Sequence, residues 1–181
     1  MGKFLALFTL AAAVVVGGAV YYLQVYAFYE PVTLAQEPSG PGETRILMSP
    51  RKGGRAEPVP VGSFRGIDAA SSPLRFRACF EILLPPEELR ETYLPYEDPV
   101  PLVAPGWFDC FDARAIGAAL EEGRAQAFLG EANIRYGIDR VIAVDEAGRA
   151  YAWHQINSCG ERVFNGEPAP EGCPPPPEGE R

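Results

Sequence analysis

Four cysteines and a single histidine are the residues of this chain best suited to chemistry. Cys79 lies in "SPLRFRACFEI" and Cys110 in "GWFDCFDA", each among aromatic residues. A thiolate is a nucleophile when a nearby cation lowers its pKa. Arg75 and Arg77 are the candidate cations, and in a regular strand Arg77 and Cys79 share a face. The spacing contains no C-x-x-C, so a thioredoxin-like redox site or a zinc knuckle has no support. An even cysteine count in an oxidising compartment favours disulfides. Of the three possible pairings, we expect Cys79–Cys110, from their shared aromatic setting, and Cys159–Cys173, around the short loop "GERVFNGEPAPEG". By the chain-entropy account each bridge contributes roughly 3–4 kcal/mol. That is a large share of a domain's net stability of ~5–15 kcal/mol.

His154 stands in "WHQIN". In a strand it shares a face with Ala152 and Ile156, while Trp153 points the other way. Such a histidine reads first as a core residue with one hydrogen bond, and second as a functional base. Serines are available in "ASS" at 70–72, but no G-x-S-x-G elbow marks a nucleophile. One histidine cannot build a three-histidine zinc site, and we expect no metal. Neither phosphate-loop pattern occurs, and we expect no cofactor. Paired acids could serve glycoside chemistry: Asp109 with Asp112, Glu87 with Glu88, Glu121 with Glu122. Adjacent helical glutamates read as a solvated face, and Asp112 as a helix cap. The candidate functional residues are therefore His154, Arg75 and Arg77.

The elements that place these residues begin with a membrane span. Between Lys3 and Glu30 runs an uncharged stretch of 26 residues, "FLALFTLAAAVVVGGAVYYLQVYAFY". About 20 apolar residues cross a bilayer core as a helix. Tyr21, Tyr22, Tyr26 and Tyr29 mark its C-terminal boundary, where tyrosines collect at the membrane–water interface, and Pro31 stops the helix. Lys3 precedes the span and no Lys or Arg follows until Arg45, so the N-terminus is expected in the cytoplasm and everything from Glu30 outside. The rival reading is a signal peptide cleaved after "VYA" at 25–27, but its apolar region exceeds the usual length. Ala13 and Gly17 form a small-x-x-x-small pair that permits close helix packing.

The part from Glu30 onward carries 15 of the 16 Lys and Arg and all 24 Asp and Glu, net −9. That balance excludes a nucleic-acid footprint and a resting surface for anionic lipid. Residues 31–43, rich in Pro and Gly, read as a linker that lifts the domain off the membrane. "TRILMS" and "EPVPVGSF" form a hairpin around Gly53–Gly54, with Pro58 and Pro60 confining the second arm to an edge. "LRFRACF" alternates as a strand. "PPEELRETY" is a short helix with proline in its first turn. "DARAIGAALEEG" is a helix capped by Asp112 and ended by Gly123. "RVIAVD" and "RAYAWHQI" form a hairpin across "EAG". The tripeptide "GID", at 66–68 and 137–139, reads as two similar turns leading into strands. The fold class is α+β: a transmembrane helix at 1–30, the linker, and a small antiparallel sheet domain at 44–165 with one or two packed helices. A Pro-rich tail at 166–181 is closed by the Cys159–Cys173 loop, and its "PPPP" at 174–177 suits a polyproline II spacer.

Several blocks together carry a resemblance: "YYLQVYAFYEPV", "GIDAASSPLRFRACF", "APGWFDCFDA", "IGAALEEG", "YGIDRV" and "WHQINSCGERVFNGEPAPEGCPPPP". The chain resembles a domain-of-unknown-function family of alphaproteobacterial single-pass membrane proteins, over nearly its whole length apart from 35–56. The resemblance implies a bacterial inner-membrane protein and brings no catalytic residues. Members are sometimes labelled histidine kinase, and the residues here argue against that. A kinase needs a cytoplasmic ATP-binding domain and a phospho-acceptor histidine on a helix. The expected protein is an inner-membrane, single-pass binding or accessory module without catalysis, with a periplasmic C-terminal domain and an inner-membrane or periplasmic protein partner. The sequence leaves its oligomeric state open. An envelope enzyme using Cys79 or His154, as thiol oxidoreductase or hydrolase, and a structural tether are the alternatives.

Overall fold

The computed structural model describes residues 2–35 and 42–176. Helix α1 (Gly2–Tyr22) has no buried residue and continues into a π-helical turn, Leu23–Ala27. Together they are long and apolar enough to cross a membrane, by length and composition. Rising 1.5 Å per residue, α1 matches a hydrocarbon core of about 30 Å.

The chain then enters the domain at once. Strand β1 (Glu30–Leu34) is followed by β2 (Glu43–Thr44), β3 (Leu47–Met48), β4 (Glu57–Pro58), β5 (Val61–Asp68) and β6 (Arg77–Ile82). Helices α2 (Pro86–Thr92) and α3 (Ala113–Glu121) precede β7 (Ala125–Leu129), β8 (Ile138–Asp145) and β9 (Arg149–Ile156), and α4 (Ser158–Phe164) closes the order. Seven strands form one sheet in the order β2-β1-β5-β6-β9-β8-β7, while β3 and β4 form a separate hairpin. The β1–β2 pair is parallel and the rest are antiparallel, so the sheet is mixed.

Both faces of this sheet are buried, because both parities of β6, β8 and β9 are apolar. Ala78, Phe80, Ile142, Ala150 and Ala152 pack beneath the β3–β4 hairpin and Leu89 of α2. Cys79, Val141, Ala143 and Trp153 pack on the other face against Phe108, Phe111 and Ile116. The disulfide Cys79–Cys110 ties β6 to the covering segment of the second face. Cys159–Cys173 ties α4 to the segment that follows it.

Helices α2 and α3 and the β8–β9 hairpin fall where the sequence places them. Asp112 accepts from the Arg114 and Ala115 N–H groups at the start of α3, and Gly123 follows it at φ +73°. Three expectations change. The 31–43 linker is in part structure: Glu30 and Pro31 pair with Asp68 and Ile67 of β5, so the sheet starts where the helix ends. Residues 36–41 of that linker, and 177–181 of the tail with the last proline of "PPPP", lie outside the described residues. The two "GID" segments are unlike. Gly66 lies within β5, paired with Val32 and Ala78, whereas Gly137 occupies a turn at φ +72° that enters β8. The loop expected between Cys159 and Cys173 begins as helix α4, because Asn157 caps it through the Gly160 N–H. Gly160 reads as a helix breaker, yet it lies against Gly137 so closely that a Cβ on either would fall inside the other's backbone. Two residues without side chains let α4 dock on that turn.

Candidate functional site

His154 lies on the β9 face beside Ala152, where its ring stacks on Phe76 with centroids 4.7 Å apart. Arg140, the residue opposite it on β8, lies over the Phe76 ring at 4.4 Å from the ring centroid. The Arg140 Nε–H donates to His154 Nε2 at 3.2 Å, and His154 Nδ1 is 2.7 Å from the Pro73 carbonyl oxygen. A guanidinium only donates and a carbonyl only accepts. The ring is therefore the neutral Nδ1–H tautomer with its Nε2 lone pair occupied. Burial, followed by the Arg140 charge, pushes its pKa down to about 3, against the opposing Pro73 bond.

Arg140 is itself buried, and burial lowers its pKa, opposed by Glu131 and Asp68. Its Nη1 donates to Thr44 Oγ1 and the Arg45 carbonyl, both at 3.2 Å, and reaches Glu131 at 3.3 Å. Arg140, His154 and Asp68 line one cavity of about 250 Å³ with Ser72, Pro73 and Arg135. Burial raises the Asp68 pKa, while the Ala69 N–H and Arg140, Arg135 and Arg77 pull it down. Both ring nitrogens of His154 are engaged, so the imidazole offers no free lone pair to abstract a proton or hold a metal.

Arg77 and Cys79 share the opposite face of the sheet, as the strand alternation requires. All four cysteines are in disulfides, so Cys79 presents no thiol to activate. The guanidinium of Arg77 instead spends its donors on backbone carbonyls. Nε reaches Leu102 at 2.8 Å, Nη1 reaches Leu74 and Phe76, and Nη2 reaches Val103. It stands 5.7 Å from the centroid of Phe111, and burial brings its pKa down to about 10. Arg75 lies over the Tyr29 ring at 5.4 Å. The sheet thus separates His154 from Cys79, and the sequence-derived candidates do not converge on one site. The acid pairs also divide. Asp109 pairs with Arg65 at 2.9 Å while Asp112 caps α3, and Glu122 pairs with Arg124. Among the described residues no cluster of His, Cys, Asp and Glu is arranged to hold a metal ion.

Two features had no place in the sequence reading. Buried Asp139 gathers three neutral donors: Tyr96 Oη at 3.3 Å, the Asn133 N–H at 2.9 Å and Asn157 Nδ2 at 2.7 Å. It joins β8 to the 133–137 turn and to the cap of α4. The second feature is a junction between α1 and the domain. Trp107 Nε1 donates to the Val25 carbonyl at 2.7 Å. This satisfies an acceptor near the end of the helix, where carbonyls lack intrahelical partners. Its indole stacks on Tyr26 at 6.2 Å and meets Tyr29 edge-on at 6.0 Å. The signal was an exposed tryptophan in the Pro- and Gly-bounded segment "APGWF", which the neighbouring Cys110 overshadowed.

The stacked imidazole, the two disulfides and the α4 docking site all fall inside residues 46–174, which match a family described as a family of unknown function (DUF6446). The chain belongs to that family. No curated protein and no solved structure matches the chain. In this DUF6446 protein the matched region spans the domain from just before β3 to just past Cys173, and α1, β1 and β2 lie ahead of it.

Proposed function

We propose that the protein is a membrane-anchored binding or accessory module without catalysis. Helix α1 spans a bacterial inner membrane with the N-terminus in the cytoplasm, and the disulfide-stapled domain stands in the periplasm. One observation carries the non-catalytic reading: the two groups the sequence offers as base or nucleophile, His154 and Cys79, are already engaged. Both ring nitrogens of His154 have partners, and Cys79 is bonded to Cys110. The envelope-enzyme alternative is left with neither of its two reactive groups. The two disulfides support an oxidising compartment, and the lone Lys3 before the span supports the orientation. The module would serve a protein of the inner membrane or periplasm, reached through the domain or through the Ala13–Gly17 face of α1.

Site-specific photocrosslinking in intact cells tests this, with probes on the exposed surface of the domain and on α1. A discrete protein adduct is the expected result. Absence of any adduct from every position would remove the accessory reading and leave the structural tether, which would survive replacement of α1 by an unrelated span. Protease added to spheroplasts must also remove the domain, and protection of the domain would reverse the orientation.

A further inference from the structure

We infer that the 100–107 loop, "VPLVAPGW", is a second membrane contact that seats the domain on the interfacial layer of the bilayer beside α1. The inference rests on α1 being a span. Its first support is position. Pro31, Ile67, Arg77, Trp153 and Val141 form one row across the sheet, from β1 through β5, β6 and β9 to β8. Pro31 is the second residue of the strand that emerges from the helix, so this row lies at the end of the sheet next to the membrane. From that row Arg77 grips the Leu102 and Val103 carbonyls. Two residues past Trp153 along β9, Gln155 accepts from the Val100 N–H at 2.7 Å and donates to the Asp98 carbonyl at 2.9 Å.

The second support is what these bonds hold outward. The backbone of the loop is pinned at Val100, Leu102 and Val103, yet Val103 is 79% exposed and Val100 56%. Val103 is more exposed than any large apolar side chain of α1. A rigid loop that keeps aliphatic side chains in water gains nothing from folding, whereas in an interface it buries them, at about 25 cal/mol per Å².

The third support is continuity with the span. Trp107 ends the loop on the Val25 carbonyl and on the Tyr26 ring, at the level where the tyrosines of the helix collect. Tryptophan, with an apolar body and one N–H donor, favours that level. The domain is acidic and Asp98 and Asp109 flank the loop, so the contact is apolar insertion and not charge attraction. Zwitterionic lipid is the fitting surface.

The test uses the full chain in phosphatidylcholine vesicles, with bromine atoms high on the acyl chains as a shallow quencher. The chain has two tryptophans, and Trp153 is fully buried in the domain core. The brominated lipid should remove roughly half of the tryptophan emission, the share of an interfacial Trp107, and Trp107→Phe should abolish that loss. Because Trp107 touches the span, a second variant reads the loop itself: Val103→Trp combined with Trp107→Phe. Its new indole should be quenched by the brominated lipid and shielded from aqueous iodide, with no dependence on salt. An indole quenched by iodide and untouched by the lipid would overturn the inference. Flotation of the same samples separates the two readings. A chain that fails to float with the vesicles contradicts the anchor, whereas a floating chain with an iodide-accessible indole at 103 contradicts only the loop contact.

Discussion

Arg140 and Arg77 are both buried, both lie near an aromatic ring, and sit on opposite faces of one sheet. Their partners differ. Arg140 engages an imidazole, a hydroxyl, a carboxylate and one carbonyl, drawn from three parts of the chain. Arg77 engages backbone carbonyls alone, on its own strand approach and on the 100–107 loop. The difference separates two uses of a buried cation. A cation matched by side chains locks a core and fixes a histidine in one tautomer. A cation matched by carbonyls fixes the path of a loop and leaves that loop's side chains free to face outward.

Replacing Arg140 with Met should have the largest effect. It leaves the partly buried Glu131 carboxylate without its cation and the buried His154 Nε2 without a donor, and removing one partner of a buried ion pair costs up to about 3–5 kcal/mol. Denaturation of the full chain in detergent measures the loss. NMR titration of the one imidazole should also show its pKa rising, since the Arg140 charge that helps to depress it is gone. An unchanged imidazole pKa would remove Arg140 from the comparison. Replacing Cys79 and Cys110 together with Ser should cost about 3–4 kcal/mol, and should loosen the face that Arg77 serves more than the face that Arg140 serves. Hydrogen exchange at α3 and at β3 would show whether the loosening is one-sided.

Arg77→Met should cost about 2–3 kcal/mol, from carbonyls left without donors. Its specific mark is faster hydrogen exchange across residues 98–107, which Arg140→Met should spare. Equal exchange in the two variants would dissolve the distinction between them. A smaller effect follows from pH. The folded-state pKa of His154 lies below the ordinary 6.5, so the unfolded chain binds more protons between those values. The stability owed to the neutral ring is fully present above pH 6.5 and is lost as the pH falls towards 3, by about 2 kcal/mol at pH 5. His154→Gln should flatten that limb. A stability difference between wild type and variant that is the same at pH 7 and pH 5 would contradict the assignment. Trp107→Phe should be smallest, at about 1 kcal/mol or less in detergent, because it removes one hydrogen bond at the junction and leaves an aromatic ring in place.

Local features of this chain were readable from residues alone. The Asp112 cap, the terminal Gly123 and the β8–β9 alternation depend on neighbours within a few positions, and the structure bears them out. The pairing of Cys79 with Cys110 followed from a shared aromatic setting, which is the core they occupy. What escaped was non-local or masked by propensity. Strand β1 was hidden by Pro31 and by the polar run after it, since its pairing is with β5 more than thirty residues away. Helix α4 was hidden by Gly160, whose missing side chain is needed for contact with Gly137 and not for a turn. The burial of both sheet faces was obscured because Arg77 reads as a solvent-facing residue until its carbonyl partners are known. Trp107 bonds a carbonyl 82 residues away, and no spacing rule reaches that far.

The proposed function requires an extracytoplasmic domain in which no cysteine is free. Alkylation of free thiols in intact cells, followed by peptide mapping without reduction, tests it most directly. The expected result is no labelled cysteine, one linked peptide pair containing Cys79 and Cys110, and another containing Cys159 and Cys173. Rapid labelling of Cys79 would contradict the non-catalytic reading and make thiol chemistry the leading function. Four reduced cysteines would contradict the topology itself.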